Sequence, residues 1–156
     1  MNLLRRGAIL FAAGIALAAL APSAEAGGPF QYYAITPCRA VDTRSGYGGI
    51  VGSGVANERQ FQIKTVCGVP ADAQAVSMNV TAVAPSGDGY YEFWPVGGTP
   101  QTSTLNFNAG EPALANGAIF PLGPGSPDLV MFYGSYVTPS DSATGHVILD
   151  VTGYFK

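Results

Sequence analysis

Basic side chains are scarce in this sequence: only seven Lys and Arg stand against ten Asp and Glu in 156 residues. That excludes the electrostatic footprint of a nucleic-acid binder, which needs a basic face to neutralise phosphates. It also excludes the polybasic cluster that holds proteins on anionic lipid. There is one histidine, His146, and there are two cysteines, Cys38 and Cys67. Two thiols and one imidazole are too few ligands, at the wrong spacing, for a zinc site. No run carries apolar residues at i, i+3, i+4 and i+7 over three turns, so helices are expected to be short or missing. Acids at calcium-loop spacing are missing as well: Asp88, Asp128 and Asp141 fall in separate turns.

The first stretch does not read as part of a fold. Arg5 and Arg6 form a positive head, Ala8 to Ala21 is apolar but for Gly14, and Ala24-Glu25-Ala26 supplies small residues around a cleavage point. These are the three parts of a secretory signal peptide, and the apolar run is short of the roughly 20 residues a membrane span needs. The expectation is a signal peptide over 1–26 and a single secreted domain over 27–156, with no membrane insertion once the signal is cleaved. Without Arg5, Arg6 and Glu25 the mature part keeps five basic and nine acidic residues, a net charge of −4. Periplasm and extracellular space both remain open as destinations. In either, an even pair of cysteines predicts a disulfide between Cys38 and Cys67.

What the mature part does contain is Gly, Pro, Val, Thr, Tyr and Phe in alternation. Val76, Met78, Val80 and Ala82 alternate with Ser77, Asn79 and Thr81, and Phe61 and Ile63 with Gln60, Gln62 and Lys64. Near the end, Val147, Leu149, Val151 and Phe155 are assigned to one face. His146, Ile148, Asp150, Thr152 and Tyr154 are assigned to the other. Asp88-Gly89 reads as a tight hairpin turn, and further strands are expected at Phe30 to Ile35, Ser103 to Phe107, Ala118 to Leu122 and Leu129 to Tyr133. The fold class that follows is all-β, an antiparallel sandwich with one disulfide, its topology open between jelly-roll and immunoglobulin-like.

Three segments carry a resemblance: Tyr33 to Arg44 with its Pro37-Cys38-Arg39 start, Cys67-Gly68-Val69-Pro70 running into Ala75 to Thr81, and Ser103 to Phe107 with Ala115-Asn116 and the ending Leu149 to Phe155. Together they resemble a family of secreted bacterial β-rich surface or accessory modules without an established activity. The resemblance implies fold and location and no catalytic residues.

Charged residues beside a core survive burial when paired, so Arg39, Asp42, Arg44 and Asp150 are expected to form a structural polar cluster joining the first strand to the last. Tyr90, Glu92 and Trp94 share one strand face, which could stack on a sugar ring or pack as core. His146 has no nucleophile at signature spacing, so no catalytic residues, metal or cofactor are assigned. The function expected on these grounds is a non-catalytic structural or interaction module of the bacterial cell surface or extracellular matrix. Its partners would be itself or other surface proteins, met through edge strands at Phe30 to Ile35 and Val147 to Phe155. A carbohydrate-binding module that takes a cell-surface glycan on the aromatic face is the alternative.

Overall fold

The computed structural model describes residues 28–52, 57–100, 102–136 and 143–156; the expected signal peptide and Asp141 lie outside them. Among the described residues there are nine strands and no helix. They are β1 (Tyr32–Asp42), β2 (Val51–Gly52), β3 (Glu58–Phe61), β4 (Ala75–Val83) and β5 (Gly89–Pro95). After them come β6 (Ser103–Phe107), β7 (Ala113–Pro121), β8 (Leu129–Ser135) and β9 (Thr144–Phe155).

Period-two patterning sorts these strands into two antiparallel sheets that share one core. One sheet runs β1-β9-β4-β7, with β2 joining the end of β9, and the other runs β3-β8-β5-β6. From β3 onward the chain crosses between sheets at almost every connection, and the order is that of an eight-stranded jelly roll plus the short β2. Val76, Met78, Val80 and Ala82 of β4 and Val147, Leu149 and Val151 of β9 face Tyr91, Leu105, Phe107, Leu129, Met131 and Tyr133 from the other sheet. Each of the Val, Leu, Met and Phe side chains among these contributes about 1.5–3 kcal/mol by leaving water. A disulfide joins Cys38 of β1 to Cys67 in the loop after β3, with Cα atoms 5.7 Å apart.

Four local expectations are corrected. Asp88-Gly89 makes no hairpin: β4 lies in one sheet and β5 in the other, so this turn carries the chain across the sandwich. The strand read from Arg59 onward stops at Phe61, and Lys64, expected on a polar face, is 7 % exposed with its Nζ donating to Gly123 O at 2.7 Å. β9 carries an extra residue: Ser77 pairs with Gly153 but Met78 with Val151. That bulge reverses the faces beyond it. Tyr154 therefore turns in against the core, and Phe155 turns out to meet Tyr32, ring centres 5.1 Å apart. Finally, β9 is no edge, since it pairs with β1 on one side and β4 on the other.

Candidate functional site

Polar chemistry concentrates where β1 meets β9. The structure brings Arg39, Asp42, Arg44 and Asp150 together in one chain of ion pairs. Arg39 Nε donates to Asp150 Oδ1 at 2.8 Å and its NH2 to Asp150 Oδ2 at 3.1 Å, while NH1 reaches Asp42 Oδ2 at 3.3 Å. Arg44 closes on the same carboxylate with Nε at 2.9 Å, NH2 at 2.7 Å and its backbone N–H at 3.1 Å. Hydrogen bonds from Arg44 are the main cause that holds the Asp42 carboxyl far below the usual carboxylate range. Every charge here is answered by its neighbour, so the cluster locks β1 onto β9.

Next to it, Thr43 is buried and its Oγ1 accepts the Val147 N–H at 3.0 Å and lies 3.1 Å from His146 Nδ1. A hydroxyl beside an imidazole has the outline of a nucleophile and base, but this hydroxyl is tied into the β1–β9 ladder. His146 and Asp150 both sit along β9, at register positions opposite Val83 and Asn79.

A third polar group was not singled out from sequence. Asp128 is fully buried, and its carboxylate accepts the backbone N–H of Ile63 at 2.9 Å, that of Lys64 at 2.8 Å and Gln62 Nε2 at 3.0 Å. Ser126 adds a hydrogen bond to Gln62 Oε1. The carboxylate pins the irregular chain after β3, where no ladder satisfies those amides. Nothing in a lone Asp between Pro127 and Leu129 signals this in sequence. Among the described residues, no three of His, Cys, Asp and Glu gather closely enough to hold a metal ion.

Tyr90, Glu92 and Trp94 fall together on the outer face of the second sheet, with Tyr91 and Phe93 turned to the core. The face is not an open platform. Tyr90 lies across Gly134, on the space a Cβ there would occupy, and leans on Tyr136 at 5.2 Å and Phe132 at 6.3 Å. Trp94 keeps only 9 % of its surface exposed, beside Phe132. Beneath, burial pushes the Tyr91 phenol far up; its OH donates to His146 O at 3.1 Å. Burial, with Asp88 nearby, raises Tyr133 to about 12.

The four sheet edges differ sharply. β1 is guarded by two register irregularities, by Pro37, and by the disulfide and Arg39. β3 is four residues long and carries Glu58 and Arg59, and β6 has five residues. β7 runs nine residues, Ala-Leu-Ala-Asn-Gly-Ala-Ile-Phe-Pro, without a charge and in unbroken register with β4. Ile119 in it is 60 % exposed. Sequence reading placed a strand only at its second half, although Pro112 and Pro121 bracket the whole uncharged run.

No protein-family model matches the chain, and no curated protein matches it. Among solved structures it is similar to the coat protein dimer of Tobacco streak virus, at 13 % identity over 83 % of this chain and 89 % of that one, with a TM-score of 0.37. A second crystal form of that virus's coat protein gives 14 % identity, 83 % and 90 % coverage and a TM-score of 0.38. The expected bacterial surface or matrix module is corrected on two structural counts: one of its two intended edges is the interior strand β9, and the aromatic face offered to a glycan has its tryptophan covered.

Proposed function

We propose that this chain is a non-catalytic, exported domain whose work is contact with further copies of itself. One observation carries the reading: β7 is a long, uncharged sheet edge with no bulge and no charge to guard it, its one proline, Pro121, being its last residue. Exposed edges of this kind are templates for another strand and are normally blunted. The polar groups best suited to chemistry support the same reading. Thr43, Asp42, Asp150 and Asp128 all spend their hydrogen bonds inside the fold. The Cys38–Cys67 disulfide suits an oxidising compartment.

Sedimentation equilibrium of the purified, disulfide-bonded chain tests this. The expected result is a mass that rises with concentration. A monomer mass held from low micromolar to millimolar concentration overturns it.

A further inference from the structure

Hydrogen bonds at both ends of the β4–β7 ladder set its phase. The Ala84 N–H donates to Pro112 O, and the Leu122 N–H donates to Gln74 O at 2.9 Å. Both bonds obey the register that pairs Ala75 with Pro121 and Val83 with Ala113. The even-numbered residues of β7 therefore turn their backbone groups to β4, and the odd-numbered ones turn theirs to the open side. Ala113, Ala115, Gly117 and Ile119 each present an N–H and a C=O there. Pro121 presents a carbonyl alone, and its missing N–H costs no bond to β4.

We infer that two copies join edge to edge through these groups, antiparallel, about a two-fold axis at Gly117. The inference rests on the self-association proposed above and gives it a place and a geometry. In this register Gly117 faces Gly117, Ala115 faces Ile119, and the Ala113 N–H meets the Pro121 carbonyl. Roughly eight interchain hydrogen bonds follow from the antiparallel pattern. Moving the axis to Ala118 leaves the Ala113 donor without a partner in the strand; an axis at Asn116 pairs the same four donors but leaves Pro121 overhanging, so Gly117, the midpoint of β7, is the centre that pairs all nine residues.

The occupant is a second copy for reasons of charge and space. The chain has a net charge of −3, so two copies repel except where they meet over uncharged surface. β7 is nine residues of such surface. A Cβ added at Gly117 would meet nothing within 4 Å, which leaves the axis itself open. The product is one sheet running through both copies, β1-β9-β4-β7 and then the same order reversed.

A residue on a two-fold axis faces its own copy, and this gives the test. Gly117→Glu and Gly117→Lys each set like charges directly opposite one another, which destabilises a strand pair, and each has free space in the single chain. Sedimentation of each variant alone is expected to show at least a tenfold weaker dimer, with an unchanged circular dichroism spectrum. An equimolar mixture of the two is expected to recover the dimer as a heterodimer. Dimers that persist in both separate variants place the contact elsewhere; they overturn the β7 axis and leave self-association standing. Variants that dissociate without recovery on mixing overturn the two-fold register. A wild-type chain that stays monomeric throughout overturns both.

Discussion

Arg39 grips Asp150 with two nitrogens across the β1–β9 register, and the same guanidinium reaches back three residues to Asp42. This pairing fastens the outermost strand of one sheet at a point where the ladder is irregular. Arg39 is half-exposed, so the bond is open to screening. Arg39→Ala is expected to lower the urea midpoint modestly at low ionic strength. The difference from wild type should shrink in 1 M salt, where the Debye length falls to about 3 Å. A loss of equal size at both salt concentrations would show that the side chain acts by packing instead.

Asp42 predicts an acid limb. Its folded value is lowered by Arg44, so the stability it contributes is fully present above its ordinary value of 3.8 and is lost as pH falls from there toward the lowered one. Urea midpoints measured downward from about pH 5 should therefore fall more steeply in wild type than in Asp42→Asn. Parallel curves would remove Asp42 as the cause.

Tyr91 and Tyr133 predict an alkaline limb. Both are raised by burial, Tyr133 to about 12, above the ordinary 10. The unfolded chain sheds these protons first, so stability is intact below pH 10 and drops as pH climbs from 10 toward 12. Tyr91→Phe loses the bond to His146 O but should show a shallower alkaline slope. A slope matching wild type counts against the assignment.

These two tyrosines mark what was legible in the sequence. Tyr91 and Phe93 had to face the core if Tyr90, Glu92 and Trp94 faced out, because a strand has only two sides. The same alternation located β4 within one residue at each end. It misread β9 because a bulge adds one residue without any change of composition: Thr152-Gly153 reads as ordinary strand, yet it sends Tyr154 inward. It missed β7 because Ala-Leu-Ala-Asn-Gly lacks the β-branched residues that announce a strand. There, pairing with β4 over the full nine residues decides the structure, and that partner is distant in sequence. The polar cluster was easier, since scarce charges near a core must find one another.

Asp128→Ala should be among the costliest single changes. It strands two buried backbone N–H groups and the Gln62 amide, so unfolding free energy is expected to fall by about 3 kcal/mol or more. Urea denaturation checks this, and a loss below about 1 kcal/mol would mean that water replaces the carboxylate.

Replacing both Cys38 and Cys67 by Ser frees a 29-residue separation and is expected to cost about 2–5 kcal/mol. The comparison is between oxidised wild type and the double variant in urea. Equal midpoints would mean that the ion pairs beside the bridge hold β1 alone.

The unequal guarding of the four sheet margins has a consequence for crowding. A β protein with two sticky sides can add copies without end and grow into a ribbon or fibre. With the bulges and Pro37 of β1, the charges of β3 and the brevity of β6 guarding the other margins, the proposed β7 pairing would give each molecule a valence of one. On that proposal, concentrating the protein would fill pairs and then stop, giving a body of fixed stoichiometry rather than a growing one.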